Sequence, residues 1–506
     1  MSSLTQIVKK AFTGNRNRNP IERAHASQLR TLKKLLLKAG NTQFGQFYHF
    51  SDIVFNDNVF GLFKEKVPLS NYSTMNPWWQ KAYAGEESVT WPGKMKYFAL
   101  SSGTSEGASK YIPVTKNTIK FITRGSARQL MRIARCKEIP TGVLNKHYIM
   151  IGGSTTLQFN GINFSGDLSG ITSGNVPFWF EPYTKPEPQI RALKDWHSKI
   201  EDIIENAPNW DPGTIAGVPA WIKLLFERII QRYNLKSIHD IWPNLTVYIW
   251  GGVSVEPYRK SIDAMCGKPL NYWETYLASE GFLAFQARPY VSGMRLLLNN
   301  GVYYEFVPFN DDNFDGDGNM LPHAKALSLM EVEEGVDYAL VITTCSGAWR
   351  YLIGDTIRFS SLKHVEIKIT GRTKHFLSLC GEHLSVENMN DAFNFVSNEM
   401  GLISNEFCVI GVTNDGPLGH DWYVGSNKPF DTELYKQKLD AKLGELNDDY
   451  IVERTHALTR MNVTYLPNEV FNNFLEAQGK GGAQVKFPRV LKGKIAEDWV
   501  KFLKEI

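Results

Sequence analysis

The sequence predicts an α/β protein in two unequal parts: a large N-terminal domain of mixed sheets flanked by helices, and a small α+β domain behind it. Three observations carry this prediction. A chain of 506 residues is too long for one hydrophobic core. Apolar runs of strand length (HYIMIG, TVYIW, DYALVITT) alternate with stretches whose apolar residues recur at helical spacing. After about residue 370 short pieces follow: a helix over about 385–400, strands at 407–413 and 420–426, a helix at 432–446 and a strand at 456–467.

Bulk properties exclude several classes. Lys and Arg total 56 against 52 Asp and Glu, a net charge of +4 without a basic block, which gives no case for nucleic acid. The five cysteines are dispersed, odd in number and form no C-x-x-C, so neither a disulfide framework nor a zinc site is indicated. The first twenty residues lack a continuous apolar segment, and no run of 18 apolar residues occurs, so no membrane partner is expected. A cytoplasmic protein in a reducing compartment is the expectation.

Taken in order, residues 21–40 carry leucines at helical spacing and end at Ala39-Gly40. VPLSNYSTMNPWW and a turn-rich AGEESVTWPGKMK lead to residues 97–116, YFALSSGTSEGASKYIPVTK. Here a strand runs into Ser101, Ser102, Gly103, Thr104 and Ser105 and returns at Lys110. Glycines allow close backbone approach to an anion, while hydroxyls and an ammonium supply charge-assisted hydrogen bonds. A Ser/Gly linker has the same composition, but strand-like flanks and the closing lysine favour a phosphate loop. It is neither a P-loop, since Tyr111 follows Lys110, nor a dinucleotide fingerprint.

Residues 115–137 read as a helix bearing Arg124, Arg128, Arg132 and Arg135, a row that suits a solvated face or a carboxylate site. GTIAGVPAWIKLLFERII reads as a turn into an amphipathic helix, with small residues Ala216, Gly217 and Val218 at its mouth. TVYIWGGV is a strand ending in Gly251-Gly252 and Val253, where a flat ring could lie against backbone. NYWETYLASEGFLAF is a strand and turn containing Tyr276, Ser279 and Glu280. Residues 294–308 and 337–345 read as strands, and the acidic DDNFDGDGNM between them fails the EF-hand pattern. WRYLIGDTIRF holds Asp355; VEIKITGRTK holds Gly371 and Arg372.

SSGTSEGASK, YLASEG and YLIGD, in this order, resemble the signature strings of the adenylate-forming superfamily, the acyl-CoA ligases and luciferases. The doubled serine of FALSSGTS and the late string QVKFPR resemble most closely the acyl-acid amido synthetases, the Gretchen Hagen family of auxin-responsive proteins. The resemblance spans essentially the whole chain. VEIKITGRTK in turn resembles the superfamily hinge, so the resemblance implies an adenylate-forming N-terminal domain (1–370), a mobile C-terminal lid (371–506) with a hinge near 371–374, and ATP with Mg²⁺ as the cofactors. In this mapping the 101–105 loop and Lys110 take the triphosphate, and Gly251, Gly252 and Val253 lie beside the adenine. Tyr276 covers the adenine face, Ser279 bonds the α-phosphate, Glu280 holds the metal, Asp355 holds the ribose and Arg372 contacts ribose or phosphate. Arg124 or Arg128 would hold the acid's carboxylate, with Ala216, Gly217 and Val218 lining its pocket. Lys486, brought in by the lid, would be the catalytic lysine, with Lys492 and Lys494 as alternatives. Leu277 and Ala278 depart from the family string.

The implied reaction activates a carboxylic acid as an acyl adenylate and passes it to an amino-acid amine, releasing pyrophosphate and AMP. A CoA ligase working through the same adenylate, and an inactive nucleotide-binding protein, remain as alternatives. The partners implied are a small carboxylic acid and an amino acid; the oligomeric state stays open, a monomer being slightly favoured.

Overall fold

The computed structural model describes residues 19–505 except 102–109, 253, 316–317, 375–376, 378, 380–381, 383, 405, 413–417, 448–449, 452–453, 455–457 and 480–486. Helix α1 (Pro20–Ala39) buries Leu32, Leu35 and Leu36 but leaves Leu37 facing water, because a 3.6-residue repeat cannot hold three consecutive leucines on one stripe. Its enclosed Gln28 donates to the Leu298 and Val302 carbonyls at 2.7 and 3.1 Å and accepts from the Tyr304 amide at 2.8 Å. Helix α2 (Tyr72–Tyr83) opens on a capping box between Asn71 and Thr74.

Strands β1 (Tyr97–Ser101) and β2 (Lys110–Val114) pair antiparallel with Ser101 opposite Lys110, so the intervening loop leaves and rejoins the sheet at one point. Thr115 caps helix α3 (Lys116–Ile133): its Oγ1 accepts from the Thr118 amide and donates to the Cys345 carbonyl at 2.9 Å. Next come β3 (His147–Met150), β4 (Gln158–Phe159), β5 (Phe164–Gly166), β6 (Thr184–Lys185) and β7 (Pro212–Ala216). Helix α4 (Pro219–Tyr233), β8 (Val247–Gly251), helix α5 (Glu256–Ala264) and β9 (Asn271–Ala278) follow. The domain is completed by β10 (Gly281–Phe285), β11 (Met294–Leu296), β12 (Val302–Pro308), β13 (Asp337–Thr344), β14 (Tyr351–Ser361) and β15 (Glu366–Arg372).

Eleven of these strands form one sheet, in the order β12-β13-β14-β15-β11-β10-β9-β8-β7-β3-β6. From β6 to β9 the neighbours are parallel; from β9 to β12 they are antiparallel. Strand β9 is the seam. β14 lies four inter-strand steps from β9, about 19 Å in a flat sheet at about 4.8 Å per step. Yet Tyr276 on β9 donates to Asp355 on β14 at 2.5 Å, so the antiparallel half curls back on itself. The curl encloses Leu283, Tyr304, Phe306 and Leu340 in the main core.

Two expectations are corrected here. GTIA is strand β7, not a turn: it is buried on both faces between parallel neighbours, so it shows no alternation to read. Residues 294–308 are two strands, divided where the Asn300 side chain donates to the Phe121 carbonyl at 3.0 Å.

The C-terminal part comprises α6 (Val386–Glu399), β16 (Phe407–Val412), β17 (Gly419–Ser426), α7 (Thr432–Leu446), β18 (Arg460–Pro467), α8 (Glu469–Ala477), β19 (Val490–Leu491) and α9 (Lys494–Glu505). Its sheet runs β18-β17-β16-β19. Helices α6 and α7 cover one face through Phe393, Tyr435 and Leu439; α8 and α9 cover the other through Phe471, Phe474 and Trp499. Among the described residues no helix is long and apolar enough to cross a membrane.

Candidate active site

The site begins at the carboxyl ends of the parallel strands, where α/β sheets leave a crevice open to ligands. Ala216, Gly217 and Val218 follow β7, Gly251 and Gly252 end β8, and Ser279 and Glu280 form the turn between β9 and β10. Gly251 has a steric reason: a Cβ there would sit 2.4 Å from the Thr275 carbonyl oxygen of the adjacent strand. The two strands therefore approach closely at their carboxyl ends.

Across the curl, β14 carries a bulge: Ala339 pairs with Thr356 and Val341 with Leu352, so three residues of β14 stand against one of β13. Gly354 in this bulge has φ +91°, a conformation that favours glycine, and its carbonyl accepts from the Thr373 amide at 2.9 Å. The bulge re-aims Asp355, which lies opposite Arg372 on β15. One Asp355 oxygen accepts from Tyr276 Oη and the other from Arg372 Nε at 3.0 Å. Each oxygen keeps a second lone pair for further donors such as vicinal hydroxyls.

Glu280 is only 7% exposed. Burial, reinforced by the Asp355 carboxylate, pushes its carboxyl up to about 7, against the opposing pull of Arg372 and Lys110. Lys110 thus belongs to the same electrostatic cluster; its Nζ lies 5.5 Å from the Tyr72 ring centroid. Among the described residues no three Cys, His, Asp or Glu side chains gather to hold a metal by themselves. A single buried carboxylate still suits Mg²⁺, which binds one or two carboxylates together with substrate phosphates.

Tyr276, Glu280, Asp355, Arg372 and Lys110, separated by up to 262 positions, are brought together. Gly251, Gly252, Ser279, Ala216, Gly217 and Val218 lie on the partly exposed carboxyl rim. Ser102, Gly103, Thr104, Ser105, Val253 and Lys486, and the side chain of Ser101, lie outside the described residues. Lys492 and Lys494 lie at the start of α9, both exposed. On α3, Ile122, Gly125, Gln129 and Ile133 face the sheet; Arg124 is exposed and Arg128 donates to Asn299 at 2.8 Å. Gly371 pairs with Thr356 and Arg372 with Asp355 at the end of the β14–β15 ladder, just after a register shift that leaves Thr370 as an extra residue. Arg350, beside the YLIGD string, turns away from the site into a pair with Glu305. Tyr72 escaped the sequence reading. VPLSNY, which carries no chemistry by itself, positions it: Ser70 bridges to Tyr351 and its Oγ donates to the Trp349 carbonyl at 2.7 Å. A cavity of about 390 Å³ beneath α1, lined by Leu36, His49 and Phe55, contains none of these residues.

The fold is that of the adenylate-forming enzymes. It matches 2-hydroxyisobutyryl-CoA ligase in its postadenylation state with a TM-score of 0.62 at 13% identity, over 95% of this chain and 91% of that one. It matches the GH3.15 acyl acid amido synthetase with a TM-score of 0.76 at 16% identity, over 96% and 95%. Within that class the chain belongs to the GH3 family: the family's N-terminal domain matches residues 16–156 and 158–271, its central domain 295–372 and its C-terminal domain 387–494. Curated relatives include jasmonoyl–L-amino acid synthetase JAR6 of Nicotiana attenuata, 24% identical over 70% of each chain. Indole-3-acetic acid-amido synthetase GH3.17 of Arabidopsis thaliana is 21% identical over 93% of this chain and 91% of that relative.

Proposed function

We propose that this protein is an ATP-dependent acyl acid amido synthetase that joins a carboxylic acid to an amino acid. The observation that carries the reading is the convergence of Tyr276, Asp355 and Arg372 with Glu280 and Lys110 at the seam of the sheet. Membership of the GH3 family adds to it.

A carboxylate is a poor electrophile and must be activated. Its oxygen attacks the α-phosphorus of ATP; the bond to the bridging oxygen of the β-phosphate breaks and pyrophosphate leaves, giving an acyl adenylate. Asp355 accepts from the ribose hydroxyls, held in register by Tyr276 and Arg372. Lys110 and the 101–105 loop bind phosphate oxygens, Ser279 bonds the α-phosphate, and Gly251, Gly252 and Val253 back the adenine. Mg²⁺, when bound at Glu280, offsets triphosphate charge. An amine nitrogen then attacks the acyl carbon, the bond to AMP breaks, and the nitrogen loses a proton. Lys486 supplies positive charge at the α-phosphate, with Lys492 and Lys494 as alternatives. Arg124 or Arg128 binds the acid's carboxylate and Ala216, Gly217 and Val218 its acyl group. The C-terminal domain, from about residue 371, acts as a lid, and the protein works in the cytoplasm.

The test is a pyrophosphate-release screen of aryl and alkyl acids, each with twenty amino acids. Amide with AMP and pyrophosphate is expected; ADP, or a thioester formed with CoA alone, would overturn the reading.

A further inference from the structure

Helix α5 begins five residues after Gly251, so it follows directly on the glycine turn at the nucleotide side of the site. Its Tyr258 is buried in the core behind the parallel strands, but its hydroxyl leaves that core and donates to the Glu406 carboxylate. Glu406 immediately precedes β16, and its other oxygen accepts from Arg489 Nη1 at 2.6 Å. Arg489 precedes β19, donates to the Phe407 carbonyl at 3.0 Å and lies 4.5 Å from the Phe407 ring centroid. Burial and the facing Glu406 carboxylate hold the Tyr258 hydroxyl protonated, as a donor. One hydroxyl from the N-terminal domain thus plugs the base of the C-terminal sheet.

The surrounding interface is unlike a permanent core. Ser261 on α5 and Ser404 before β16 line one cleft between α5 and α6, and among the described residues both buried hydroxyls lack a hydrogen-bond partner. Asn390 Oδ1 on α6 is buried and unpaired as well. Orphaned polar groups penalise the docked arrangement. Glu256, Lys260, Asn394 and Asn398 around the cleft give it the polar character of an interface that separates. At the far end of α6, Arg358 meets Glu387 at 3.3 Å across the same junction.

We propose that Tyr258 is a positioning residue whose bond to Glu406 pins the C-terminal domain in this orientation and so sets the balance between acid activation and amine acylation. The proposal rests on the amido synthetase reading for its second half only. Tyr258→Phe keeps the ring and deletes the donor; Glu406→Gln keeps the shape and removes the charge. Hydrogen–deuterium exchange should rise at least fivefold in residues 256–264 and 406–412 of both variants, with 339–343 in the core unchanged. For an acid and amine found in the pyrophosphate screen, the ratio of ATP–pyrophosphate exchange to amide formation should shift at least fivefold. A merely structural defect lowers both rates together and leaves the ratio alone. The double variant should shift it by less than the sum of the two single shifts, since both act on the Tyr258–Glu406 contact, while Glu406→Gln also weakens the pair with Arg489. Unchanged exchange in both segments overturns the pin; raised exchange with an unchanged ratio overturns the positioning role. If no acid releases pyrophosphate the enzymatic reading falls, while the exchange data still decide whether Tyr258 holds the domain.

Discussion

Arg350–Glu305 and Arg372–Asp355 are both arginine–carboxylate pairs at strand β14, and they are built in opposite ways. Arg350 and Glu305 are 4% and 1% exposed; Nε and Nη2 both reach Glu305, while Nη1 donates to the Lys64 and Val67 carbonyls. Four of the five guanidinium N–H directions are taken and the pair is closed off from solvent, so little is left for a ligand. Arg372 and Asp355 are 41% and 16% exposed, joined by a bond of 3.0 Å, with Tyr276 on the second oxygen. Spare lone pairs and solvent access leave that pair able to accept further donors, whereas the sealed pair fixes the chain entering β14. Chemistry of the residue types does not separate the two; saturation does.

The largest test of this contrast is Glu305→Ala, which strands the Arg350 guanidinium in the core and should cost roughly 3–5 kcal/mol in chemical denaturation. Asp355→Asn should cost less than about 1 kcal/mol, as expected for a partly exposed pair. Equal losses would erase the distinction.

Glu280 sharpens it through pH. Its carboxyl rises from the ordinary 4.5 to about 7, so between those values the folded protein holds more protons than the unfolded chain. Stability therefore falls as pH climbs from 4.5 to 7 and levels off above, by an amount of the order of 3 kcal/mol. Glu280→Gln should flatten that slope in thermal melts at pH 5–8 and abolish metal-dependent adenylation. An unchanged slope would mean that the carboxylate is not buried as described.

Tyr276→Phe deletes the hydroxyl that orients Asp355 and should raise the KM for ATP by about tenfold, with a stability loss of no more than about 1.5 kcal/mol. Tyr72→Leu is the smallest change: losing the ring beneath Lys110 should weaken ATP use by about twofold to fivefold. A stability loss with ATP kinetics intact would make Tyr72 a packing residue only.

The strings around Ser279, Glu280, Asp355 and Arg372 drew attention through their resemblance to family strings, whereas α1, α3, α6 and α7 were legible in the residues themselves. β7 was not, because buried parallel strands do not alternate. α8 and α9 went unread: α8 is only nine residues long, and both follow stretches where the strand pattern drew attention. The curl joining Tyr276 to Asp355, and Tyr258 to Glu406 across 148 positions, leave no local trace; they arise from sheet order.

The enclosed Gln28 has a consequence for how the chain is made. It clamps α1 onto backbone up to 276 residues further along. With synthesis at about 5–20 residues per second, the helix waits roughly 14–55 s for that strand to leave the ribosome. Throughout that interval the helix has the short helices of residues 43–66 to pack against but not strand β12. A nascent chain stalled before residue 298 should bind hydrophobic-segment chaperones through α1, and one released beyond 308 should let go.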